Sequence, residues 1–151
     1  MDSIKPFTDA YFMKKALDEA QHAYNQDEIP VGAVIVSDNR IIARAHNLTE
    51  TLNDVTAHAE MQAITSASNY LGGKYLIGCT LYVTLEPCQM CAGALFWSQI
   101  SKIVFGAKDP QRGFLSLQTK LHPKTEWQGG VMESEAAEIL KRFFIKKRNL
   151  N

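Results

Sequence analysis

Two short runs, Thr56-Ala57-His58-Ala59-Glu60 and Glu86-Pro87-Cys88-Gln89-Met90-Cys91, constrain this 151-residue chain more than any other feature. Each lies where a turn-rich stretch meets a helix-like apolar pattern. Ala57 to about Tyr70 reads as a helix stopped by Gly72-Gly73. Pro87 needs no N–H at a helix start, so Cys88–Ser98 reads as another. A lone histidine is commonly structural, and a lone Cys-x-x-Cys can be a redox pair, although the flanks here are not thioredoxin-like. Together the runs offer one imidazole and two sulfurs, the donors zinc prefers in tetrahedral sites. Three protein ligands leave one position for water, whereas a structural site is closed by a fourth protein ligand. The fold has to bring these two helix starts together.

Helical geometry permits this. Cys88 and Cys91, three residues apart, share one helix face. His58 and Glu60 would diverge by about 200° in mid-helix, but in a first turn both side chains lean toward the N-terminal end. Free backbone N–H groups there favour negative charge and help hold cysteines as thiolates. Zinc with two thiolates and a neutral imidazole is formally uncharged. Its water is then less acidic than on a three-histidine site, where the pKa is about 7. A base has to assist, and Glu60 is placed to do so. The remaining histidines, His22, His46 and His122, form no second compact ligand pair in the sequence.

The rest of the chain supplies a scaffold. Thr8 to about Gln26 is apolar at helical spacing, with Thr8 as its cap. Val31–Val36 and Arg40–Ala45 flank Ser37-Asp38-Asn39 as a hairpin; the first strand is apolar on both faces, as in a strand covered on both sides. Thr80–Leu85, Lys102–Gly106 and Thr125–Met132 read as further strands. The stretch 108–123 reads as loop. Ser134–Arg148 reads as a closing helix with Ala137, Leu140, Phe143 and Phe144 on its buried side. These elements predict an α/β fold: a three-layer sandwich with a mixed central sheet of about five strands and helices on both faces. No linker or repeat divides the sequence, so residues 1–151 are expected to form one domain.

Composition narrows the class. Hydrophobic residues make up 46% and charged residues 21%, as in ordinary globular proteins. Sixteen basic residues balance sixteen acidic ones, so net charge alone does not argue for nucleic acid. The basic residues cluster late, at Lys141, Arg142, Lys146, Lys147 and Arg148. No apolar run reaches the roughly 20 residues of a membrane span, and the start lacks a signal-peptide pattern. A cytoplasmic location is expected. There, three cysteines are not expected to form disulfides, and Cys79 reads as a small buried side chain.

The two runs resemble the signature of the cytidine deaminase-like zinc enzymes, and within them the chain is most similar to bacterial tRNA-specific adenosine deaminases. The likeness extends from about Tyr11 to Gly106. It is carried by Ile29-Pro30-Val31-Gly32-Ala33-Val34, the Thr-Ala-His-Ala-Glu run, Thr80 through Ala94, and Val104-Phe105-Gly106-Ala107-Lys108-Asp109. The resemblance implies one Zn2+ per subunit held by His58, Cys88 and Cys91, with Glu60 as the proton shuttle. It implies hydrolysis of a wobble adenosine to inosine, with a zinc-bound water as nucleophile. Asn47, Ala59, Ile29 and Phe144 would contact the substrate, a tRNA anticodon stem-loop, and two subunits would form a homodimer. The chain departs from that pattern at Pro110–Leu117, where adenosine deaminases have a loop rich in Gly and Ala. A free-base or nucleoside deaminase acting on guanine or cytosine is the alternative. A non-catalytic zinc or RNA-binding scaffold would lack the glutamate or carry a fourth ligand, and this sequence does neither.

Overall fold

The computed structural model describes residues 3–150. Its elements run α1 (Asp9–Asn25), β1 (Gly32–Ser37), β2 (Arg40–His46), α2 (Ala59–Leu71), β3 (Thr80–Leu85), α3 (Gln89–Ser98), β4 (Lys102–Ala107), β5 (Glu126–Gln128) and α4 (Glu133–Leu150). The strands form one mixed sheet in the order β2-β1-β3-β4-β5. β1 pairs antiparallel with β2 and β3, while β3–β4 and β4–β5 are parallel. This is the expected three-layer α/β arrangement.

Local chemistry sets the element ends. The Tyr11 N–H donates to the Thr8 hydroxyl oxygen at 3.2 Å, capping α1. Asp38 and Asn39 both adopt positive φ, 50° and 61°, which suits a tight hairpin turn following the twist of β1 and β2. α2 ends where Gly72 takes a left-handed φ of 72°.

Strand alternation divides the core. Val34, Val36, Tyr82 and Val104 face Phe12, Met13 and Ala16 of α1. Ala33, Ile35, Leu81, Val83, Ile103 and Phe105 pack in the core that includes Ala59, Ala63 and Ala67 of α2 and Leu95 of α3. Each large aliphatic or aromatic side chain buried this way contributes about 1.5–3 kcal/mol. Small residues set the layer spacing. At Gly32 a Cβ would collide with the Ala16 carbonyl and the Ala20 nitrogen, so α1 crosses β1 backbone to backbone.

Two expectations are corrected. The last strand is three residues long rather than Thr125–Met132. Trp127 stacks on Phe105 at 5.9 Å, and Gly130 and Met132 then take positive φ and break the extended run. In α4 the buried residues are Ala136, Ile139 and Phe143, with Leu140 partly buried. Ala137 and Phe144 are exposed. Paired apolar residues, Ala136-Ala137 and Phe143-Phe144, give two stripes of equal spacing. Packing against α1 and β4 selects between them.

Candidate active site

β3 delivers the second motif to one end of the sheet, and the loop after β2 delivers the first to the same place. His58 is the N-cap of α2 and Cys88 the N-cap of α3, both in extended backbone conformation. Cys91 lies in the first turn of α3. The His58 Nδ1 stands 3.6 Å from the Cys88 Sγ and 3.5 Å from the Cys91 Sγ. Zinc bonds of about 2.1 Å to nitrogen and 2.3 Å to sulfur, at the tetrahedral angle, separate those atoms by about 3.6 Å. The three donors therefore fit zinc as they stand. They form a possible metal site, and among the described residues no fourth His, Cys, Asp or Glu joins the cluster.

Buried carboxylates hold both motif-bearing loops. Glu28, fully buried, accepts N–H groups from Glu50 at 3.0 Å and Thr51 at 2.6 Å. Gln62 of α2 donates to the carbonyls of His46 and Ala57. These contacts fix the stretch leading to His58. On the other side, buried Glu86 accepts the Asp109 N–H through Oε1 at 3.1 Å and the Leu115 N–H through Oε2 at 3.0 Å. At Gly113 any Cβ would fall on the Glu86 carboxylate, so only glycine lets the loop close there. Phe114 is buried, packs edge-on against both Phe105 and Trp127, and anchors the same loop.

Both carboxylates near the ligands line the cavity; Glu86 has both oxygens engaged by the loop's N–H groups, whereas Glu60 lies beside the sulfur donors. Burial pushes the Glu60 carboxyl up to about 7; its own backbone N–H opposes this, while the neighbouring Cys88 charge adds to it. The Cys88 thiol is lowered to about 4, chiefly by a hydrogen bond from Cys91, against burial and helped by His58. Cys91 moves upward because its thiol is hydrogen-bonded to Cys88 and buried. His58 is raised, first by its hydrogen bond to Cys88. The cluster already favours one thiolate; a divalent cation removes the proton from the second.

Above these groups opens a cavity of about 650 Å³. Ile29, Asn47, Ala59 and Phe144 all line it, alongside His58, Glu60 and Cys88. Asn47 is held in place by donating to the Ile29 carbonyl at 3.3 Å and accepting the Thr49 N–H at 3.3 Å. Sequence reasoning missed the loop side of the wall, Lys108 and Arg112, and the two carboxylates that set it up. Glu86 lies inside a motif, but only tertiary hydrogen bonding reveals its partners. The basic cluster of α4 is partly engaged internally: Arg142 and Lys146 lie over Tyr24, and Lys147 bonds Asp27.

Comparison with known proteins bears on this geometry. Residues 7–107 match the family model for the cytidine and deoxycytidylate deaminase zinc-binding region. A tRNA-specific adenosine deaminase of Agrobacterium fabrum is 48% identical over 145 residues, covering 91% of this chain and 95% of its own. One from Aquifex aeolicus is 49% identical over 145 residues, covering 92% and 95%. A solved structure from work on A-to-I editing by tRNA deaminases at the wobble position superposes with a TM-score of 0.80. It is 46% identical and covers 85% of this chain and 98% of that one. A guanine deaminase from Bacillus subtilis superposes with a TM-score of 0.62 at 43% identity, covering 64% of this chain and 62% of that one. The chain belongs to the zinc-binding deaminase family of cytidine and deoxycytidylate deaminases.

Proposed function

We propose that this chain hydrolyses the exocyclic amine of the wobble adenosine in a tRNA anticodon, giving inosine and ammonia. One observation carries the reading: three zinc-spaced donors and a buried carboxylate share the floor of one open cavity. The near full-length similarity to tRNA-specific adenosine deaminases supports the choice of substrate. Lys108 and Arg112 on the cavity wall suit phosphates.

His58, Cys88 and Cys91 would hold the zinc, which when bound would supply an activated water for attack at C6. Glu60 would take a proton from water and deliver it to N1 of adenine, then take the second proton from the new C6 hydroxyl and pass it to the departing amine, which leaves as ammonia as the C6 carbonyl forms. A carboxyl poised near neutrality serves both directions of transfer. Asn47 and the backbone at Ala59 orient the base. Ile29 and Phe144 pack beside it.

The chain acts as one domain and as a homodimer. Met90, Gly93, Ala94 and Trp97 recur at one-face spacing on α3, and none is buried. Trp97 is 76% exposed, and the small residues beside it allow a second copy to approach closely. No described helix is long and apolar enough to cross a membrane, and we place the protein with its substrate in the cytoplasm.

The guanine deaminase likeness and the unusual 110–117 loop favour a second reading, deamination of a free base. Incubation with a tRNA bearing adenosine at the wobble position, and separately with guanine, cytosine and cytidine, distinguishes the two. Inosine in the tRNA is the expected result. Ammonia from a free base alone would overturn the proposal.

A further inference from the structure

His22 and His46 are far apart in sequence, yet the fold joins them through one carboxylate. Glu19 and His22 lie three residues apart on α1, and His46 ends β2. The His46 Nδ1 is 3.1 Å from the Glu19 Oε1, and the His22 Nδ1 is 3.5 Å from the Glu19 Oε2. Glu19 is buried, His46 mostly so, and His22 opens to solvent. We propose that Glu19, His22 and His46 form a second binding site for a divalent transition cation, best suited to zinc.

Spacing is the first argument. Zinc bonds of about 2.1 Å to nitrogen and oxygen, at the tetrahedral angle, set neighbouring donors about 3.4 Å apart. The observed 3.1 and 3.5 Å, to the two oxygens of one carboxylate, lie near that value, and one ligand atom from each of the three residues lies within 4.8 Å of the others. Among the described residues His58, Cys88 and Cys91 form the other such group.

Proton counting is the second. Both ring nitrogens of His46 face oxygen acceptors, since its Nε2 lies 3.1 Å from the Gln26 Oε1. A neutral imidazole carries one N–H and a carboxylate carries none. In the tautomer with Nε2–H donating to Gln26, the Nδ1 lone pair faces Glu19 and is free to bind a cation, and the Gln26 contact then fixes the ring as an outer partner does in metal sites. Two imidazoles and one carboxylate, with a free side toward solvent, suit zinc, whereas calcium and magnesium prefer all-oxygen sites. An imidazolium–carboxylate pair is the competing explanation, and it binds no metal.

The test uses the purified full chain with its motif site filled, titrated with zinc at micromolar concentrations and followed by calorimetry and elemental analysis. Wild type should take up a second equivalent. His22→Ala, at an exposed position outside the cavity, should weaken that second binding by at least about tenfold and leave the first equivalent in place. Cobalt added as a probe should occupy the second site without a thiolate charge-transfer band, which separates it from Cys88 and Cys91. Saturation of wild type at one equivalent would overturn the proposal. So would undiminished second binding in His22→Ala, or a thiolate band accompanying the second equivalent.

Discussion

His58 and Cys88 hold the same rank, the N-cap, on two different helices, and their Nδ1 and Sγ atoms stand 3.6 Å apart. Neither side chain caps its own helix by a hydrogen bond. Both donors are thereby free to turn toward a common point. Chelation should therefore leave a folded protein whose Cys88 thiolate, held at about 4, reacts rapidly with a thiol reagent at neutral pH. Cys79, 1% exposed and raised by burial, should stay unmodified until the chain unfolds. Mass mapping of the labelled residue checks this, and rapid labelling of Cys79 would count against the structure.

Glu60→Gln keeps the volume and removes the base. We expect zinc content to match that of wild type while kcat falls by about 10²–10⁴-fold, the usual range for losing a general acid–base group. Turnover within a few-fold of wild type would remove Glu60 from proton transfer.

Much of the site could be read from the sequence because it is local. Helix starts, the Cys-x-x-Cys spacing and the first-turn glutamate are short-range patterns, and the two motif helices formed where the pattern placed them. What escaped depends on distant packing. The choice between the Ala136 and Ala137 faces of α4 is made by α1 and β4, not by the helix itself. The Glu86 contacts to Asp109 and Leu115 span more than twenty residues. The union of His22 with His46 needs α1 laid across β2, which no spacing within either segment reveals.

Glu86→Ala should loosen the loop rather than the metal site. Its two carboxylate hydrogen bonds, both part-buried, would be lost, and water can reach the freed N–H groups of Asp109 and Leu115. Amide exchange at Asp109 and Leu115 should accelerate, and KM for the nucleic acid substrate should rise more than kcat falls. Zinc content should not change. Unaltered exchange at both amides would show that the loop is held by other contacts.

Glu28 gives a pH dependence of known sign. Burial pushes its carboxyl up, but hydrogen bonds from Thr51 and Glu50 outweigh this and hold it below the ordinary 4.5. A depressed folded-state value means the stabilisation is present above about 4.5 and is lost as pH falls through the lower folded value. Glu28→Gln should lower stability at pH 7 by about 1.5–3 kcal/mol, the contribution of a hydrogen bond to a charged group. It should also flatten the acid limb of the stability curve. Denaturant midpoints measured from pH 7 down to pH 3 would expose an unchanged slope if the assignment is wrong.

Trp97 is 76% exposed on α3, with Gly93 and Ala94 on the same side leaving a shallow track in the helix surface. A large exposed aromatic next to such a track is a typical anchor for a protein partner. Trp97→Glu puts a charge on that face and removes its largest apolar group, while the buried side of α3, Cys91, Ala92 and Leu95, is untouched. The variant should keep its zinc and its circular dichroism spectrum, yet sediment as a monomer at concentrations where wild type is a dimer. If wild type itself sediments as a monomer at micromolar concentration, the homodimer is wrong. If Trp97→Glu stays dimeric, the two copies meet on another face.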